Sequence, residues 1–108
     1  MKTIENIHVG SRTHVPPDTI VMIRSEINFS LIYLANGDKF IVSTCLKKLE
    51  ERFAAVQSFA RVHKSYLVNL DYYKSYNEGH FLLVNDLTCV VSRRKFKRLI
   101  DSKRVVLE

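Results

Sequence analysis

Apolar positions along the chain recur with two different periods. Thr19–Arg24 (TIVMIR), Phe29–Leu34 (FSLIYL) and Lys39–Ser43 (KFIVS) are short, apolar and rich in β-branched residues, and each reads as a strand. Ala35-Asn36-Gly37-Asp38 separates the second from the third. Asn-Gly between apolar runs predicts a hairpin with a type I′ turn, which takes positive φ at both central positions. The period then changes. Leu46, Leu49, Glu50 and Phe53 fall at i, i+3, i+4 and i+7, predicting a helix with three apolar side chains on one face, Val56 close by and Ser43 or Thr44 as N-cap. From Phe59 the strand period returns, with Val62, Lys64, Tyr66 and Val68 alternating against Arg61, His63, Ser65 and Leu67. Tyr72–Tyr76, His80–Val84 and Leu87–Val91 follow as short strands, joined by the turn-forming Asn77-Glu78-Gly79 and Asn85-Asp86. Ser92 then reads as the N-cap of a terminal helix, RRKFKRLIDS, in which Phe96, Leu99 and Ile100 share one face, Arg94, Lys97 and Arg98 lie opposite, and Arg93 sits on the flank.

These elements predict a mainly β chain: six or more short, mostly antiparallel strands and two short helices, without the strand–helix alternation of a parallel α/β fold. Residues 1–18 end in HVPPD, where two prolines stop any regular element. They are expected to form an N-terminal extension packed as an additional strand on a domain spanning 19–108.

The 108 residues amount to one domain. No window reaches the roughly 18 apolar residues of a membrane span, and MKTIENIHVG lacks the apolar core of a signal peptide. Two cysteines are too few for a secreted disulfide scaffold, so a cytoplasmic location is expected. Charge adds more. The net charge is +6, and Ser92–Arg104 carries all of it: seven basic residues against Asp101 alone, while the remainder balances to zero. A neutral body with one basic segment points to a polyanionic partner.

Other chemistry is sparse. His8, His14, His63 and His80 show no metal-ligand spacing, so no metal or cofactor is expected. Cys45, in the first helix, and Cys89, in an apolar strand, read as small core fillers. There is no nucleophile motif and no glycine-rich phosphate loop, so neither catalysis nor a small-molecule substrate is expected. Tyr33, Tyr66, Tyr72, Tyr73 and Tyr76 stand at core-compatible positions; as a stacking platform they would suit single-stranded RNA.

At FARVHKSYLVNL the pattern becomes specific. Phe59, Arg61, His63, Ser65 and Leu67-Val68-Asn69 resemble the F-x-R-x-H-[RNK]-S-[YF]-[LIV]-V-N signature of the LytTR family of bacterial DNA-binding domains. Ile23-Arg24-Ser25-Glu26 with Asn28-Phe29-Ser30 resembles the family's I-x-x-E-x-x-x-NY stretch with a shortened gap. The Asn-Gly hairpin, the helix opening Leu46-Lys47-Lys48-Leu49-Glu50, and Val91-Ser92-Arg93-Arg94 follow in the family's order. The resemblance covers about residues 18–101, and position 29 carries Phe where members often have Tyr or His.

The resemblance implies a compact, multi-sheet LytTR-type fold that reads double-stranded DNA with loops, as a transcriptional regulator does. Carried over, three segments would reach the DNA: Asn28-Phe29-Ser30, the corner at Lys64-Ser65, and Ser92-Arg93-Arg94 with the helix behind it. Arg93 suits a bidentate contact to guanine in the major groove. Lys64 suits a base or a phosphate, while Arg94, Lys97 and Arg98 suit phosphates. His63 and Asn69 are expected to fix the corner, with a phosphate contact open to His63. Family members tend to bind paired half-sites, so a homodimer on DNA is expected. They usually follow a receiver domain, which the first 18 residues are too few to hold. A stand-alone regulator or a fragment of a longer protein fits, and Met1 favours the first. The alternative is a protein-binding or anionic-surface module that docks through the basic helix.

Overall fold

Ile20, Val21, Met22 and Ile23 are apolar at four successive positions, and all four are buried. A strand sends successive side chains to opposite faces, so this run requires cover on both sides of its sheet. The computed structural model, which describes residues 5–105, provides that cover. Of the expected extension 1–18 the first four residues, and of the expected domain 19–108 the last three, lie outside the described residues. In chain order the elements are β1 (Ile7–Gly10), β2 (Thr13–Val15), β3 (Ile20–Ser25), β4 (Ser30–Leu34), β5 (Lys39–Val42), α1 (Leu46–Arg52), β6 (Phe59–His63), β7 (Tyr66–Asn69), β8 (Tyr73–Asn77), β9 (His80–Leu83), β10 (Thr88–Val90) and α2 (Arg93–Asp101).

The strands form three sheets, and every pairing in them is antiparallel. The largest has the order β5-β4-β3-β7-β6, which places the apolar β3 at its centre. On one face Ile20, Ile23, Ile32 and Leu67 pack with Leu46, Leu49 and Phe53 from α1 and with Val9 and Val15 from the β1–β2 hairpin. On the other, Val21, Met22, Ala60, Val62 and Val68 pack with Phe81 and Leu83 of β9, Cys89 of β10, and Phe96 and Leu99 of α2. The fold is β-rich with two short helices, as the periodicity predicts.

Several local expectations are corrected. The β4–β5 hairpin forms, but not through a type I′ turn: Gly37 has φ 97° while Asn36 is not in the positive-φ region. Gly37 N donates to Leu34 O at 3.1 Å and Leu34 N to Asp38 O at 2.8 Å, the three-residue loop in which one glycine takes the left-handed position. Asn36 Oδ1 accepts from Asp38 N at 2.9 Å, so this asparagine serves the loop through its side chain. The N-cap position of α1 is taken by Cys45, without a side-chain capping bond, and not by Ser43 or Thr44; Ser30 Oγ donates to Thr44 O at 2.7 Å just before it. Cys45 is exposed at that cap and is not a core filler. The alternation from Phe59 to Leu70 divides into the hairpin β6–β7, folded at Lys64-Ser65, the corner that the resemblance implies. In place of one added strand, residues 7–15 make a two-stranded hairpin.

Gly10 sits where β1 bulges toward the end of β5. Its φ is 138°, and a Cβ built there would lie 2.6 Å from Thr44 Oγ1. Gly10→Ala combines that clash with a backbone L-residues avoid, so it is expected to cost about 1–3 kcal/mol. A drop in the urea midpoint at unchanged m-value checks this, and an unchanged midpoint would contradict it.

Candidate nucleic-acid interface

Antiparallel pairing brings five chain ends to one end of the large sheet: the end of β3, the start of β4, the ends of β5 and β6, and the start of β7. Two turns emerge there, residues 26–29 between β3 and β4 and residues 64–65 between β6 and β7. They are linked, since Ser25 N donates to Ser65 O at 2.8 Å. The Asn28 turn and the Lys64-Ser65 corner therefore share one surface.

The first turn closes with Glu26 N donating to Phe29 O at 2.8 Å, and Glu26 pairs with Arg24 at 2.8 Å. Asn28 is exposed and Phe29 half-buried. Ser30 is completely buried and its hydroxyl is given to Thr44 O, so it anchors the turn from beneath and offers no surface to a ligand. That removes Ser30 from the predicted contact set. Ile27 takes its place at the tip, 96% exposed, which is unusual for so large an apolar side chain. A turn of this kind gives no sequence signal for which residue faces outward.

The second corner is built by Arg61. Its Nε donates to His63 O at 2.9 Å and its Nη2 to Lys64 O at 2.6 Å, while Nη1 pairs with Glu50 Oε1 of α1 at 2.7 Å. One planar guanidinium fork thus joins the end of β6, the turn and the helix across the sheet edge. His63 Nδ1 accepts from Ser65 N at 3.1 Å, which puts the proton of the neutral ring on Nε2. Lys64 contributes only backbone to this network, and its side chain is exposed. Asn69 lies away from the corner: buried at the far end of β7, it donates to Ile20 O at 3.0 Å and accepts from Asp71 N at 3.0 Å. The expectation that it fixes the corner gives way to a role holding the opposite end.

Ser92 caps α2, its Oγ accepting from Lys95 N at 3.1 Å. Arg93, Arg94, Lys97 and Arg98 are exposed, while Phe96 and Leu99 are buried. Phe96 stacks on Tyr76 at 3.7 Å between ring centroids, which fixes the helix to β8. Lys95 and Arg98 border a cleft of about 320 Å³ with Ala60, Arg61 and Arg104, so the basic helix lies along β6 and reaches the residue that braces the Lys64 corner. The seven basic groups of the segment are not equivalent. Arg104 Nη2 donates to Gln57 O and Phe59 O at 2.6 Å each and is committed to the start of β6. Lys103 takes φ 62° in a helix-ending turn where Arg104 N donates to Leu99 O at 2.9 Å.

The first turn of α2 holds Arg93, Arg94 and Lys95 and no acidic residue. Cations at a helix N-terminus oppose the macrodipole, at a cost of roughly 0.3–1 kcal/mol each. An anion at that end would be favoured by the dipole and by both arginines.

The remaining candidates are structural. Tyr33, Tyr66, Tyr72, Tyr73 and Tyr76 are all half-buried against the core cluster on the second side of the large sheet. Burial pushes the Cys89 thiol up to about 12, leaving it protonated and inert at neutral pH. Among the described residues no three His, Cys, Asp or Glu are grouped to hold a metal, and no helix is long and apolar enough to cross a membrane.

A β-rich domain that gathers loops and a basic helix on rigid supports fits a class of nucleic-acid-binding modules. The comparisons give the family. The model for the LytTr DNA-binding domain matches residues 10–103, and the chain belongs to that family. Among solved structures, the chain resembles the LytTr DNA-binding domain of a Bacillus cereus protein described as a methyl-accepting/DNA response regulator, with a TM-score of 0.66 at 16% identity, covering 99% of this chain and 100% of that one. At that identity the likeness speaks for the fold. No curated protein matches the chain.

Removing the Arg61 fork leaves the His63 and Lys64 carbonyls without their charged donor. Arg61→Ala is expected to cost about 2–4 kcal/mol, and Arg61→Lys to recover less than half, since an ammonium cannot span the three acceptors. Urea unfolding with amide exchange at residues 63–66 measures it; full rescue by lysine would show that charge alone matters. A second outcome concerns the thiols: iodoacetamide at neutral pH should label Cys45 and spare Cys89 in the native chain, read by mass spectrometry.

Proposed function

We propose that this DNA-binding domain is a transcriptional regulator that reads specific double-stranded sites through the major groove. The observation that carries this reading is the shared surface: two turns locked together by the Ser25–Ser65 hydrogen bond, beside a basic helix whose Arg93, Arg94, Lys97 and Arg98 are exposed. Phosphate contacts supply affinity and register, and a few side chains supply sequence. Arg94, Lys97 and Arg98 serve the phosphates. Arg93, at the capped start of α2, reads guanine with its planar fork. Lys64 and Asn28 contact bases or phosphates from the turns, and the half-exposed Phe29 and Ser65 border them. His63 acts through the corner it holds. Ile27 adds an apolar tip suited to a thymine methyl group. The protein acts without a cofactor and without catalysis, and paired half-sites suit a homodimer on the DNA.

Selection from a random duplex pool at near-physiological salt tests the reading. Recovery of a defined motif supports it. Binding to an acidic partner or anionic vesicles with no duplex bound would favour the docking-module alternative. With about six phosphate contacts, log K should fall against log[salt] with a slope near −5. Arg93→Ala should cost about 1–3 kcal/mol on the selected site and relax one base pair, whereas Lys97→Ala should weaken all duplexes alike. Ile27→Ala should cost about 1 kcal/mol at a site containing the preferred thymine and leave the urea midpoint unchanged. Intact discrimination in Arg93→Ala would overturn its assignment.

A further inference from the structure

The hairpin of β1 and β2 carries a pair of histidines that neither the fold nor DNA binding uses. His8 and His14 are six residues apart in sequence but directly opposite in the antiparallel register. Their ring centroids are 5.0 Å apart with planes tilted by 36°. Alternation explains why both face outward. Val9 and Val15 are buried in the core beneath α1, so their neighbours His8 and His14 lie on the solvent side.

The hairpin itself is held in place. Arg52 of α1 donates to His8 O at 3.2 Å, and a Cβ at Gly10 would lie 2.6 Å from Thr44 Oγ1. With the backbone so held, sharing a ligand orders only the two imidazole side chains.

We propose that His8 and His14 together form a two-ligand site for a divalent ion of the zinc class. Zinc binds imidazole nitrogen at about 2.0–2.1 Å in tetrahedral geometry, and two rings ligating one such ion have centroids about 5 Å apart. The observed separation matches. Neutral imidazole is a borderline ligand suited to zinc, copper or nickel rather than to calcium or magnesium. With only two protein ligands, the site leaves two tetrahedral positions for water. Arg12 in the hairpin turn and Arg52 behind it oppose a dication, so the site is weaker than a fully liganded zinc centre.

Titration of the intact chain with zinc alone, against a chromophoric zinc chelator near neutral pH, tests the site. One zinc should bind per chain. His8→Ala and His14→Gln should each lower the affinity by about tenfold or more, because each removes the chelate partner of the other. Both side chains are exposed, so the variants should keep the native circular dichroism, and His80→Ala should bind zinc as the parent does. Zinc should also shift the imidazole NMR signals of His8 and His14 together. Loss in only one variant, undiminished binding in both, or shifts confined to His63 and His80 would overturn the assignment.

Discussion

A strand that is apolar on both faces governs this structure. Ile20–Ile23 must be hidden from water above and below, and burying one such side chain contributes about 1.5–3 kcal/mol. A 108-residue chain meets that demand by dividing its material. The β1–β2 hairpin and α1 cover one face; the three-stranded sheet β10-β9-β8 and α2 cover the other. The ends of the sheet are the surfaces left over, and at one of them two turns meet. The position of the candidate interface thus follows from where the core could not extend.

Much of this was legible in the sequence wherever a short-range pattern decides the outcome. The apolar run of β3 and the helical spacing of Leu46, Leu49 and Phe53 report directly on burial. Ser92 before a helical run could be read as a cap because the cap and its amide partner are only three residues apart. Failures fell where one signal concealed another. The alternation from Phe59 continues in phase through Lys64-Ser65, and no glycine or proline marks the reversal. The β1–β2 turn places Ser11 and Arg12 at positive φ, a conformation neither residue advertises. The loop around Gly37 kept the expected hairpin while shifting the special backbone angle to one residue.

The candidate site was less legible, because charge counts cannot tell a free cation from an occupied one. Arg104 stands in the basic segment yet holds two carbonyls of the chain before β6 and at its start. Arg61 belongs to the signature stretch, but its work is to clamp two carbonyls and Glu50. Their partners, four backbone carbonyls and the Glu50 carboxylate, are brought within reach only by the fold. Ser30 was drawn into the contact set by its neighbours and is withdrawn by its burial, while Ile27 beside it comes forward. The histidine pair shows the same limit in reverse, since a hairpin joined residues whose spacing matches no familiar ligand motif.

The corner at Lys64 is fastened entirely through groups other than the Lys64 side chain: the carbonyls of residues 63 and 64, the amide of Ser65 and the ring of His63. The hydrogen bonds that hold the corner thus make no use of the side chain at position 64. If Lys64 contacts DNA as proposed, a substitution there could alter what the corner recognises without first requiring added stability elsewhere. On that reading, what the corner presents is separable from what holds it in place.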